Sequence, residues 1–243
     1  MKIRLFTIPN MLTLSNLLCG SIALIEVLLH QNFVAAFILI VAAAAFDFLD
    51  GLTARLLGQY SEIGRELDSL ADVVSFGLVP AVVMYSLFNL AEKSFDHPLW
   101  IEWGAYIPLI IVCFSALRLA RFNIDAEQQT SFIGLPTPAN ALFCLSLGLL
   151  TGCGKLELSA EVVATISIVM ATLLIVPIRL FALKFSSFSW RENRVRYIFL
   201  VVSAVTLVLL RVFAIPVIIA IYILASVINN VTANKKHKGV INE

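Results

Sequence analysis

Residues 47–72, DFLDGLTARLLGQYSEIGRELDSLAD, carry four aspartates directly behind the apolar run FVAAFILIVAAAAF at 33–46. An Asp at the centre of a transmembrane helix costs about 2.5–3.5 kcal/mol on insertion scales, so acidic groups beside a membrane-length apolar run point to function. Asp47 follows 14 apolar residues, or about 21 Å of helix at about 1.5 Å per residue. That depth places it below a membrane surface, in a wet cavity rather than in lipid.

The rest of the chain agrees with a membrane setting. Its 243 residues are 60% hydrophobic and 14% charged, with a mean hydropathy of +0.95. Soluble domains hold about 45–50% apolar and about 25% charged residues, so the expected class is all-α, a polytopic membrane helix bundle. A formal net charge of +1 gives no field for nucleic acid. Cys19, Cys113, Cys144 and Cys153 form no C-x-x-C pair, and His30, His97 and His237 have no metal-ligand spacing. The start, MKIRLFTIPN, is too short and interrupted for a cleavable signal peptide.

Stretches of about 20 apolar residues cross a bilayer. Eight are expected here, at 11–29, 33–57, 67–90, 103–122, 138–153, 159–181, 197–213 and 214–230. With both termini in the cytoplasm, Lys93, Lys155 and Arg211 alone among the 17 lysines and arginines fall outside. Removing a span before 179–196 would move five more outward, against the positive-inside rule. On this topology residues 47–72 form a cytoplasmic hairpin, and all four aspartates sit at the inner ends of two antiparallel helices.

Asp47, Asp50, Gly51, Ala54 and Arg55 fall at i, i+3, i+4, i+7 and i+8, one face of one helix. Gly64, Asp68 and Asp72 follow at intervals of four on the next. Four converging carboxylates repel one another unless cations lie among them, and one arginine is too few. Oxygen ligands in this number suit Mg²⁺, Mn²⁺ or Ca²⁺ and favour two ions, an arrangement suited to phosphoryl displacement. Gly51 and Ala54 leave a flat backbone patch for a planar ligand, or else a surface for helix packing through small residues. Arg55 is placed either for a diphosphate or as an inner-end arginine.

These positions carry a resemblance. D-x-x-D-G-x-x-A-R-x8-G-x3-D-x3-D is the signature of the CDP-alcohol phosphotransferase family, matched here at Asp47, Asp50, Gly51, Ala54, Arg55, Gly64, Asp68 and Asp72. IPNMLTLSNLLCG (8–20), RLARFN (118–123) and SFIGLPTPA (131–139) resemble the membrane-type phosphatidylserine synthases of that family. The resemblance covers about residues 8 to 139. It implies an integral membrane enzyme with a six-helix core, expected at about 8–182; the apolar stretches at about 197–230 add further helices and 231–243 a polar tail, in a single membrane domain over 1–243. It also implies a homodimer and two divalent metals on Asp47, Asp50, Asp68 and Asp72. Gly51, Ala54, Arg55 and Gly64 would bind the CDP moiety, and Asp72 would be the catalytic base. The implied reaction moves the phosphatidyl group of CDP-diacylglycerol to L-serine, giving phosphatidylserine and CMP.

The residues are compatible with that acceptor. A serine carboxylate suits a guanidinium fork, and Arg118 and Arg121 are i, i+3 neighbours at the inner end of the fourth span. Asn123, Gln128 and Gln129 complete a polar stretch, which Gly134, Pro136 and Pro138 stiffen as the chain re-enters the membrane. Asn16, inside the first span, needs a partner: a nucleotide, a substrate or a facing helix. Glycerol 3-phosphate or inositol phosphate as acceptor would use the same chemistry. A cation or metabolite transporter is the alternative of another class, and the later half lacks the second aspartate cluster that an inverted repeat would bring.

Overall fold

In a computed structural model, residues 5–91, 98–124, 132–177, 179–180, 190–210 and 213–226 are described. They are almost wholly helical. The helices are α1 (Ile8–His30), α2 (Phe33–Leu57), α3 (Glu62–Asp72), α4 (Val79–Leu90), α5 (Pro98–Trp103), α6 (Ile110–Ile124), α7 (Thr137–Gly152), α8 (Ala160–Ile175), α9 (Trp190–Leu210) and α10 (Ala214–Ser226). A π-helical turn, Val73–Leu78, fuses α3 to α4, and a 3₁₀ segment, Gly104–Leu109, leads into α6. Four stretches are long and apolar enough to cross a membrane: Ile8–His30, Phe33–Leu57, Glu62–Leu90 and Gly104–Ile124. Four shorter apolar helices follow, at Thr137–Gly152, Ala160–Ile175, Tyr197–Leu210 and Ala214–Ser226. Each of the eight expected apolar stretches thus contains a helix among its described residues, although the sixth leaves the helix after Ile175.

Several boundaries differ from those expected, each for a local reason. The first helix begins at Ile8 rather than 11, because the Thr7 side chain accepts from Asn10 N at 3.3 Å and Pro9 suits a first turn. The third begins at Glu62 rather than 67, because Ser61 caps Gly64 N at 3.0 Å. The sixth stops at Ile175 rather than 181, because Val176 precedes Pro177 and takes an extended ψ of 134°. Leu135 N then donates to Leu173 O at 2.8 Å, and Gly134 lies at φ +80° with its α-carbon facing the Leu174 carbonyl. A side chain at 134 would meet that carbonyl. Phe132–Ile133 and Arg179–Leu180 form a two-residue antiparallel pair beside it. Lys93, Gln128, Gln129, Arg211 and the tail 231–243 lie outside the described residues.

The π turn has a cause in sequence. Pro80 has no N–H and its ring crowds the carbonyl four residues back, so a regular α-helix is interrupted there. The wide turn absorbs the defect, with Val79 N donating to Val74 O. Two close approaches hold it: a Cβ at Gly77 would lie 3.1 Å from Ser115 Cβ, and one at Gly20 2.9 Å from Ser75 Cα. The core around this turn is apolar and fully enclosed, with Phe76, Phe88, Ile40, Met84 and Ile111 inaccessible. α1 packs along α2, α2 on α7, α6 on α8, and α4 against both α7 and α8. Leu18, Ile25, Ile38 and Leu117 face outward as a lipid-compatible surface.

Candidate active site

Five helix ends meet at one end of the bundle. α1 begins there, α2 ends, α3 begins, α6 ends and α7 begins, an arrangement fixed by contacts between their side chains. The two acidic faces meet as the spacing requires. Carboxylate oxygens of Asp47, Asp50 and Asp68 lie within 4.8 Å of one another. Asp50 is buried, and Asp47 and Asp68 are half-buried. Asp72, also buried, lies one turn beyond Asp68 and outside that group of three.

No salt bridge neutralises these carboxylates among the described residues, where the ion pair formed is Arg65–Glu66 at the surface. Asp68 Oδ1 is buried without a hydrogen-bond partner among the described residues. Three clustered carboxylates with an orphaned buried oxygen fit a hard divalent cation: the ligands are all oxygen, and a cation removes both the repulsion and the unmet acceptor.

Neutral donors do hold two of the aspartates. Thr13 Oγ1 reaches Asp50 Oδ2 at 2.5 Å, and Asn16 Nδ2 reaches Asp72 Oδ1 at 3.2 Å. Of the partners open to Asn16 in sequence, the structure shows a facing helix. Thr13 was not distinguished by sequence, since its partner lies 37 positions away.

A cavity of about 680 Å³ opens from the aspartates between α3, α6 and the start of α7. Asp47, Asp68 and Asp72 line it together with Arg118, Asn123 and Thr137. Arg118 Nη1 lies 3.5 Å from Thr137 Oγ1, its Nε is buried without a partner among the described residues, and Asp72 is within its electrostatic reach. Asn123 Nδ2 donates to Ser69 Oγ at 2.8 Å, joining α6 to α3 beside Asp68. Arg121 is exposed and not part of this lining. Arg65 and Ser69 are lining residues that sequence did not single out. They stand three residues before and one residue after Asp68.

The nucleotide positions divide. At Gly51 an added Cβ would meet nothing within 4 Å, so helix packing within the described chain does not explain that glycine. Gly64 has a packing reason, because a Cβ there would lie 2.9 Å from Ser61 Oγ and 3.1 Å from Asn10 Oδ1. Ala54 is half-buried, and Arg55 is exposed at the end of α2, on the face that carries Asp47 and Asp50.

A family model described as CDP-alcohol phosphatidyltransferase matches residues 6–182. A relative from Bacillus subtilis (strain 168) is 39% identical over 131 residues, covering 54% of this chain and 69% of its own. One from Methanocaldococcus jannaschii is 42% identical over 140 residues, covering 57% of this chain and 59% of its own. One from Helicobacter pylori (strain J99) is 38% identical over 142 residues, covering 57% and 55%. Each of the three is named CDP-diacylglycerol–serine O-phosphatidyltransferase. The match spans from about half to about two thirds of these relatives' length.

Proposed function

Because the chain belongs to the CDP-alcohol phosphatidyltransferase family, we propose that it is a membrane transferase that moves the phosphatidyl group of CDP-diacylglycerol to the hydroxyl of L-serine. The observation that carries this reading is the shared cavity, whose lining holds three of the aspartates together with Arg118. The names of the similar proteins supply the serine.

Asp47, Asp50 and Asp68 would hold a divalent ion, with Asp72 joining them for a second, as Mg²⁺, Mn²⁺ or Ca²⁺. Bound there, the metal supplies charge stabilisation to the diphosphate and its departing oxygen. The open face at Gly51 and Ala54 receives the cytidine, and Arg55 holds the diphosphate from the end of α2; Gly64 keeps the α3 start close to this group. Arg118 takes the serine carboxylate in a charge-assisted pair, with Asn123 and Thr137 beside it and Arg121 nearer the surface. Asp72 accepts the proton of the serine hydroxyl. The hydroxyl oxygen forms a bond to the phosphorus bearing diacylglycerol, and the bond from that phosphorus to the CMP oxygen breaks. CMP leaves with the electron pair, and phosphatidylserine passes to the bilayer. A single displacement suits a cavity whose lining includes Ser69 and Thr137 only as hydrogen-bonded hydroxyls. On the same reading the protein is a homodimer, with termini and active site at the cytoplasmic face.

The test is CMP release by purified protein in mixed micelles of CDP-diacylglycerol with Mn²⁺ or Mg²⁺. Serine, glycerol 3-phosphate and inositol phosphate are offered in turn. Serine-dependent CMP is expected; CMP with another alcohol alone overturns the acceptor, and CMP with none overturns the transferase reading. Arg118→Met is expected to raise KM for serine by roughly 10–100-fold, the equivalent of losing a charged hydrogen bond of about 1.5–3 kcal/mol, with KM for CDP-diacylglycerol little changed. An unaltered serine KM would remove Arg118 from the acceptor site.

A further inference from the structure

α1 contributes no carboxylate to the acidic group, yet it touches both helices that do. Its buried stripe runs Pro9, Asn10, Thr13, Asn16, Gly20, Ala23 and Val27, the spacing of one helix face. Two members of that stripe, one turn apart, each donate to a different aspartate. Thr13 Oγ1 has one proton and two acceptors in range: Asp50 Oδ2 at 2.5 Å and Pro9 O at 3.1 Å. The shorter contact has the length of a hydroxyl–carboxylate bond. Asn16 donates Nδ2 to Asp72 Oδ1 at 3.2 Å, and its backbone carbonyl accepts from Ser75 Oγ at 3.1 Å. Asn16 is thus tied to both the last residue of α3 and the π turn. Gly20, one further turn along, lets α1 approach the Ser75 backbone closely enough to make these bonds.

We infer that Thr13 and Asn16 are positioning residues for the metal site, with α1 acting as a spacer that fixes Asp50 of α2 against Asp72 of α3 before any cation arrives. The chemistry of the donors matters as much as their place. A lysine or arginine at 13 or 16 would neutralise a carboxylate and compete with the cation. A hydroxyl and an amide orient one oxygen of each carboxylate, leave its charge intact and leave the other oxygen free. Loss of an outer partner that orients a metal ligand typically costs about 10–100-fold in metal affinity. Both donors are buried, at 3% and 0% exposure, so water does not replace them readily. This inference rests on the metal-site reading above, and its test separates the two.

The measurement is Mn²⁺ binding to the full chain in detergent, without donor or acceptor, from the electron paramagnetic resonance signal of free Mn²⁺. The protein is compared with Thr13→Val, Asn16→Leu, Thr13→Ser and the pair Asp50→Asn and Asp50→Asn/Thr13→Val. Thr13→Val and Asn16→Leu are each expected to weaken Mn²⁺ binding by about 10–100-fold, and Thr13→Ser by less than about threefold. In the Asp50→Asn background, Thr13→Val is expected to add no further loss, because its carboxylate partner is gone. Unchanged Mn²⁺ affinity in Thr13→Val and Asn16→Leu, or an equal loss from Thr13→Val with and without Asp50, overturns the spacer role. Where the valine variant does not fold, Thr13→Ala removes the same hydroxyl by emptying space alone. Failure of the parent protein to bind Mn²⁺ overturns the metal-site reading instead.

Discussion

Exhaustive removal of divalent cations is expected to abolish CMP release, and added Mn²⁺ or Mg²⁺ is expected to restore it. The reason lies in charge. Asp47, Asp50 and Asp68 bring carboxylate oxygens within 4.8 Å of one another, with no salt-bridge partner among the described residues. A diphosphate donor adds further negative charge to this place. At an effective dielectric of about 20, two unit charges about 4 Å apart interact by about 4 kcal/mol, so the donor cannot approach a bare cluster at useful affinity. The measurement is turnover after dialysis against chelator, with metal content verified by elemental analysis. Undiminished turnover in metal-free protein would sink the assignment. The ligand set also sets an order of rescue: oxygen-preferring ions restore activity, and monovalent ions do not.

The second large effect is expected from Asp72→Asn, with kcat reduced by about 10²–10⁴-fold, the usual contribution of a positioned general base. Asp72 is the aspartate that stands outside the group of three, buried and facing the cavity shared with Arg118. An asparagine there retains the volume and a hydrogen-bonding oxygen for Asn16, so folding should survive. Steady-state kinetics would show kcat and kcat/KM for serine falling together, since the lost interaction belongs to the transition state. Full activity in the variant would exclude Asp72 as the base.

Much of this fold is legible in sequence because a bilayer leaves the chain few choices. Backbone groups in lipid must be satisfied within a helix, so an apolar run of sufficient length is a helix. α2 spans Phe33–Leu57, as read from its residues, because Asn32 caps its start and Gly58 closes its end at φ 61°. Polar first turns are less visible. Glu62 to Glu66 belong to a helix through the Ser61 cap, and hydropathy does not register a cap. The site divides the same way. Asp47, Asp50 and Asp68 could be placed together from intervals of three and four within two helices joined by a short link. Thr13 and Asn16 could not be paired with Asp50 and Asp72, since those bonds depend on how α1 packs, 37 and 56 positions away in the chain. Arg118 was identifiable as an acceptor candidate, whereas its distinction from the exposed Arg121 required the rotation of α6.

The π turn at Val73–Leu78 gives the helix from Glu62 to Leu90 two angular phases. Upstream, Asp68 and Asp72 look into the polar cavity. Downstream, Val79, Val83, Met84 and Leu87 look into the apolar core. A residue in an unbroken α-helix advances by about 100°, so the wider turn acts as a phase shifter between a polar section and an apolar one. A chain shortened by one residue within 73–78 would lose that offset and rotate one section against the other. Length in this segment is therefore constrained beyond composition: Ser75, Phe76 and Gly77 are already held by close packing, and removal of a residue would also break the offset.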